Sequence, residues 1–198
     1  MLSHKRLIIK GGLSVSEDHY FIAFPVPEKV HEPLIRVQQT YGTGEKFKNE
    51  TDREDFHITL LFFGGWDNEK RERLWAELKA KIAEEPAFSL SLREVGFFGR
   101  PAEPRVLFGG LKYSKTLMAV QKKISGLAEK HGFPVESRPY TPHITLAKGY
   151  KADKPLKLQH LDSDLPGIEW NVDEVILYKI HPSRRPKYEK IDTITLVR

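Results

Sequence analysis

The sequence predicts an α+β protein built from two related halves with mixed or antiparallel sheets. Apolar runs of strand length alternate with amphipathic helical stretches, yet many neighbouring strands lie close enough to pair as hairpins. The tetrapeptide His-Ile-Thr-Leu stands at 57–60 and again at 143–146, one copy in each half of a 198-residue chain, which is the mark of an internal repeat. That length suits one large domain or two small lobes packed together.

Residues 1–18 carry no clear periodicity and read as an N-terminal extension, with 19–198 as a single two-lobed domain. Lys10-Gly11-Gly12 ahead of Val15 has the form of a translated ribosome-binding site before a GTG start. Mass spectrometry finding Met1 or Leu2 at the native terminus would refute that start. The first strand is Tyr20 to Phe24, closed by Pro25-Val26-Pro27. A helix follows over 27–40, with Val30, Leu34 and Val37 on one face. The polar stretch 41–55 reads as a loop, and strand two runs from Phe56 to Phe63 until Gly64-Gly65. A charged helix over 67–85 turns Leu74, Leu78 and Ile82 inward and stops at Pro86. Phe88, Leu90 and Leu92 alternate with polar residues as in a half-buried strand. A turn-rich segment, 96–104, leads to a strand over 105–111. The helix at 114–131 carries Leu117, Val120, Ile124 and Leu127 inward, with Gly132 at its end. The second motif strand covers 143–148, a long loop 149–167, and the last two strands 170–180 and 188–197.

The composition is 39% hydrophobic and 30% charged, that of an ordinary globular protein with a real core. No cysteine is present, so disulfides and thiolate metal sites are excluded and a reducing, cytoplasmic setting is expected. No apolar run reaches transmembrane length, and no membrane partner is expected. A net charge of +5 leans toward an anionic partner but is equally an ordinary solvated basic surface.

Strand alternation gives the repeated motif its meaning. In 56–62, Phe56, Ile58, Leu60 and Phe62 share one face, which must be core, while His57 and Thr59 share the other. The second copy sends Ile144 and Leu146 inward, and His143 with Thr145 outward. A single His-x-Thr on a strand is ordinarily a solvated sheet face. Two copies related by a pseudo-twofold put both polar faces on one cleft. Imidazole titrates near pH ~6.5, so one histidine can serve as base while the other serves as acid. In-line displacement at phosphorus needs those opposite roles on opposite sides, and the hydroxyls of Thr59 and Thr145 can donate to phosphoryl oxygens. No metal or other cofactor is required. No His/Asp/Glu spacing matches a metal motif, Gly42-Thr43-Gly44 lacks the Lys-Ser/Thr of a P-loop, and no serine sits in a nucleophile elbow.

On these residues the chain resembles the 2H phosphoesterase superfamily, named for two His-x-Thr/Ser motifs. Within it the chain is most similar to the RNA 2′,3′-cyclic phosphodiesterase family, historically called 2′-5′ RNA ligase. The resemblance runs from about Tyr20 to the C-terminus and also rests on Tyr20 to Phe24, the trailing Leu61-Phe62-Phe63-Gly64, Pro104 to Phe108 and Pro142 to Lys148. It implies a bilobal α+β fold, each lobe with a mostly antiparallel sheet and helices, and an active-site groove between them. It also implies His57 as proton donor to the leaving O3′, His143 as proton acceptor from water, Thr59 and Thr145 on the phosphate, and a 2′-phosphate product. Where the family often carries arginine this chain has Lys148, which keeps the charge and loses the bidentate fork.

Lys148, Arg105 and Tyr140 are the candidate substrate-binding residues. Lys148 is five residues beyond His143, so a flat strand points it to the opposite face and only a bulge or strand end brings it round. Arg105 opens a strand beside Pro104 and serves either the surface or an RNA backbone. Tyr140 either packs at the core rim or stacks a base. Phe97 and Phe98 are read as exposed turn aromatics that can line the groove. Arg184, Arg185 and Lys187 form a basic turn, either a solvated hairpin tip or an RNA-contacting lip. His4, His19, His31, His131, His160 and His181 fall outside the motifs. Three functions remain open. The first is opening of 2′,3′-cyclic phosphate RNA ends by a monomer. The second is 2′-5′ ligation, or cleavage of 2′,5′-linked or small cyclic nucleotides, at the same site. The third is non-catalytic binding of RNA ends, which the two intact histidines speak against.

Overall fold

The computed structural model describes residues 18–65, 68–158, 165 and 167–198. The stretch 1–17 with the expected start at Val15, and His4 and His160, lie outside the described residues. Among the described residues nine strands pair side by side: β1 (His19–Pro25), β2 (Phe47–Glu50), β3 (His57–Gly65), β4 (Phe88–Arg100), β5 (Glu103–Leu111), β6 (His143–Tyr150), β7 (Glu169–Val172), β8 (Glu174–Ile180) and β9 (Tyr188–Thr195). The helices are α1 (His31–Tyr41), α2 (Thr43–Lys46), α3 (Asn68–Ile82) and α4 (Lys115–Lys130).

The sheet order is β7-β4-β5-β6-β3-β1-β8-β9, with β2 also on β6, and the named strands pair antiparallel throughout. Four strands lie on each side of the β6–β3 seam. That seam is one ladder pair, Ile58 with Ile144. Past it β3 leaves β6, and β2 takes its place beside Ala147, Lys148 and Tyr150. The α+β, bilobal expectation therefore holds, with the motif strands as the inner strand of each half.

The helices cross over the seam. α1, between β1 and β3, packs on β6, and α4, between β5 and β6, packs on β3. Gln38 on α1 donates to the Leu146 carbonyl at 3.0 Å and the Thr51 carbonyl at 2.8 Å. Gln121 on α4 donates to the Leu60 carbonyl at 3.4 Å. Each crossover helix thus grips the leucine of the opposite motif. α1 closes on Gly42 at φ 60, a left-handed cap that a side chain would strain. Ser114 caps α4 by accepting the Leu117 amide.

Several expectations change. Residues 41–55 are not a plain loop: they hold α2, β2 and a 3-10 turn at Arg53–Asp55. A four-residue strand of mostly polar side chains pairs through its backbone, and that leaves no hydrophobic period to read. The turn expected at 96–104 shrinks to a tight connection, because β4 runs on to Arg100. The strand expected over 170–180 breaks at Asp173, where the chain passes from β7 on β4 to β8 on β1. Phe62 is 54% exposed rather than core. The β1 register skips Leu60 and Phe63, so each is a bulge that resets the alternation, and Phe62 emerges on the His57 face opposite Phe21.

Candidate active site

Ile58 and Ile144 are fully buried under the seam, leaving His57, Thr59, His143 and Thr145 half-exposed on its other face. Extending the antiparallel register by one residue sets His57 opposite Thr145 and Thr59 opposite His143. The four side chains occupy the corners of a rectangle, histidines on one diagonal and threonines on the other. Diagonal Cβ atoms in such a pair are roughly 7–8 Å apart, room for a phosphate between two imidazoles.

Both rings are fixed the same way. His57 Nδ1 lies 2.7 Å from the Asp55 carbonyl and His143 Nδ1 2.7 Å from the Thr141 carbonyl. A carbonyl only accepts, so each Nδ1 carries the hydrogen and each Nε2 faces the groove. There the copies part. His57 Nε2 lies 2.9 Å from Thr59 Oγ1, whereas His143 Nε2 bonds no protein group among the described residues.

Aromatic rings box both imidazoles. Around His57 stand Phe21 at 4.7 Å, Tyr188 edge-on at 5.0 Å and Tyr178 at 6.3 Å between ring centroids. Around His143 stand Phe98 edge-on at 5.0 Å and Phe108 at 5.2 Å. A Cβ at Gly96 would sit 2.3 Å from the Phe108 ring, so that glycine leaves the ring its place. Removal from water pushes the His57 pKa down to about 4, with Lys148 and His143 adding repulsion. The His143 pKa is also lowered, by the same loss of water and then by Lys148. Both imidazoles are therefore neutral at pH 7.

Lys148 is brought to the site by a bulge. The β5 register passes from Ala147 to Thr145, skipping Leu146, and that extra residue returns Lys148 to the histidine face. Loss of water and the charge of Lys187 hold its ammonium below the ordinary lysine range. Arg105 is exposed on a β5 bulge against Gly99, and no hydrogen bond or ion pair ties it to the motif side chains among the described residues. Tyr140 turns inward instead of toward a base. Its hydroxyl donates to the Thr59 carbonyl at 2.8 Å and its ring packs on the core, so it braces the first motif from the approach to the second. Phe98 joins the His143 wall, whereas Phe97 pairs with buried Leu107 and faces away.

Three contributors escaped the sequence reading. Buried Asp55 accepts the Lys187 amide at 3.0 and 2.8 Å and the Tyr188 amide at 3.0 Å, fastening β9 to the His57 strand. Tyr178 and Tyr188 reach His57 only because β8 and β9 return to the first half. An acid two residues before the motif histidine was the one local signal. The remaining described histidines are engaged elsewhere: His31 on the Val26 carbonyl, His131 on Glu77, His181 on Glu189 and His19 beside Phe62. No group of three or more His, Asp or Glu arranged to hold a metal occurs among the described residues.

The family model of the 2′-5′ RNA ligase superfamily matches residues 26–184, a span that includes both motifs. The chain belongs to that superfamily. An RNA 2′,3′-cyclic phosphodiesterase of Bacillus subtilis (strain 168) is 31% identical over 173 residues, covering 87% of this chain and 93% of that protein. One of Geobacillus stearothermophilus is 30% identical over 185 residues, covering 92% of this chain, and this chain spans 59% of its length. Among solved structures, E. coli LigT complexed with 3′-AMP superposes with a TM-score of 0.76 at 24% identity, over 91% of this chain and 99% of that one. That likeness concerns the fold alone. It agrees with the two-halved sheet that carries the superfamily's paired motifs here.

Proposed function

We propose that this chain hydrolyses 2′,3′-cyclic phosphate ends of RNA to 2′-phosphate ends, as a cytoplasmic monomer, through His57 and His143 and without a metal. The observation that carries the reading is the rectangle at the seam, where two Nε2 atoms face one groove from opposite strands. The relatives named RNA 2′,3′-cyclic phosphodiesterase support the substrate. One chain supplies both motifs, which supports the monomer, and residues 19–198 act as one bilobal unit. No described helix is long and apolar enough to cross a membrane.

Neutral His143 offers a free Nε2 lone pair. It takes a proton from water as the water oxygen attacks phosphorus and the P–O3′ bond breaks. Protonated His57 gives its proton to O3′. The product is a 2′-phosphate with a free 3′-hydroxyl, and proton exchange with solvent resets the pair. Thr59 and Thr145 donate to the non-bridging oxygens, and Lys148 offsets their charge. His57 is the harder assignment, because its pKa of about 4 leaves it neutral at pH 7 in the free enzyme. The cyclic phosphate brings the missing element: its negative charge favours imidazolium and raises that pKa on binding. Once protonated, His57 Nε2 no longer accepts from Thr59, which frees the Thr59 hydrogen for phosphate and leaves the Nε2 hydrogen for O3′.

The test is EDTA-treated protein with an oligoribonucleotide ending in 2′,3′-cyclic phosphate. Opening to a 2′-phosphate is expected. Opening to a 3′-phosphate would reverse the leaving group, and no opening would overturn the function.

A further inference from the structure

A cavity of about 370 Å³ adjoins the catalytic groove where β2, β6 and the 181–187 turn converge. Its walls include Asn49, Asp55, Lys148, Arg185, Lys187 and Tyr188. Two of these belong to the groove as well: Tyr188 stands edge-on to His57, and Lys148 acts on both histidines. The cavity is thus a continuation of the groove on one side of the reacting phosphate. Its volume is within the range of roughly 300–1,000 Å³ typical of ligand sites.

The charges in it are unequally engaged. Asp55 already accepts three hydrogen bonds from two backbone amides, those of Lys187 and Tyr188, with its two oxygens. Asp52, also on the wall, accepts the Glu54 amide at 3.0 Å, and Glu50 accepts the Thr43 hydroxyl. By contrast, the side chains of Lys148, Arg185 and Lys187 form no hydrogen bond or ion pair among the described residues, although all three line the space. Arg184 beside them reaches Glu189 instead. Lys187 stands close enough to Lys148 to depress its pKa, a repulsion that a bound anion between them would relieve. Unpaired cations beside carboxylates that are each already engaged by a protein donor favour an anion, and guanidinium prefers the two-oxygen face of a phosphodiester.

Resting on the function proposed above, we infer that this cavity is a second phosphate subsite. It binds the internucleotide phosphate next to the terminal nucleotide of the RNA end, with Arg185 as its chief ligand and Lys187 beside it. The basic turn is then the lip that makes the site prefer an RNA end over a cyclic mononucleotide. Arg185 is exposed and forms no hydrogen bond or ion pair with either motif among the described residues, so its removal is expected to leave the fold and the reacting phosphate alone.

The experiment compares wild-type protein with Arg185→Ala and Arg185→Lys on an oligoribonucleotide 2′,3′-cyclic phosphate and on a mononucleoside 2′,3′-cyclic phosphate. For Arg185→Ala the expected result is a fall in kcat/KM of roughly ten- to a hundredfold on the oligomer, carried by KM. The mononucleotide rate stays within about twofold, Arg185→Lys recovers part of the loss, and the salt dependence of oligomer binding weakens by about one phosphate contact. An equal fall on both substrates, or no fall on either, overturns the subsite. If the wild type opens neither substrate, the proposed function has failed. Anisotropy titration of a 3′-phosphorylated oligonucleotide then judges the subsite separately, and unchanged affinity in Arg185→Ala overturns it.

Discussion

The two halves share a backbone plan and differ in their chemistry. Both carry the same tetrapeptide, the same Nδ1–carbonyl bond, a glutamine from a crossover helix on the motif leucine, and a bulge at that leucine. The differences begin beyond the four repeated residues. In the first half Phe21, Tyr178 and Tyr188 enclose the histidine, and its own threonine holds Nε2. In the second half Phe98 and Phe108 flank a histidine whose Nε2 bonds no protein group among the described residues. The bulges bring the fifth residue after each histidine to the groove face, and it is Phe62 in one half and Lys148 in the other. A repeat can therefore supply matched positions while its neighbours assign unlike roles. The half with the cation and the open lone pair suits water activation. The enclosed half suits a proton that is released only when substrate is present.

Removing either histidine should have the largest effect. His57→Ala and His143→Ala are each expected to lower kcat by roughly 10²- to 10⁴-fold, measured by oligonucleotide opening with the fold checked by circular dichroism. A variant that kept its rate would reduce the pair to one working half.

Next comes the contrast at the fifth position. Lys148→Met should lower kcat/KM by roughly ten- to a hundredfold, and Lys148→Arg should retain most activity. Because the lysine charge depresses both histidines, Lys148→Met should also move the His57 pKa up from about 4, read by NMR titration. An unmoved pKa would detach Lys148 from the site. Phe62→Ala should act more weakly, since Phe62 carries no charge to the phosphate.

Stability effects are the smallest in consequence for catalysis. Ile58→Ala should cost about 2–5 kcal/mol in denaturant unfolding, because it opens a cavity beneath the seam. Gln38→Ala should cost more than Gln121→Ala. Gln38 is buried with bonds at 2.8 and 3.0 Å, whereas Gln121 reaches its carbonyl at 3.4 Å. Equal losses would mean that the two crossover grips are energetically alike.

The two-half fold and the four motif side chains were legible because strand alternation and an identical repeat are local signals. Lys148 was legible only conditionally: its side depends on the bulge at Leu146, and leucine looks the same in a flat strand or a bulged one. The bulge at Leu60 hid the exposure of Phe62 for the same reason. Tyr140, Tyr178, Tyr188 and Asp55 depend on which strands return to which half, and that is fixed by the break at Asp173 and the seam at Ile58 and Ile144. Four mostly polar residues of β2 carry no period, so their strand exists only through pairing with β6.

The pH profile of wild-type kcat/KM tests most directly whether one phosphate is worked from both sides by unlike histidines. The base must be neutral, so the rate should rise with pH through the His143 pKa, which lies below 6.5. The acid must be protonated, so in the free enzyme the rate should fall through the His57 pKa of about 4. A bell with its maximum between the His57 and His143 pKa values is expected, with a kcat profile displaced to higher pH because bound phosphate raises both. A kcat/KM that stayed flat from about pH 4 to 9, or peaked at higher pH than kcat, would contradict it.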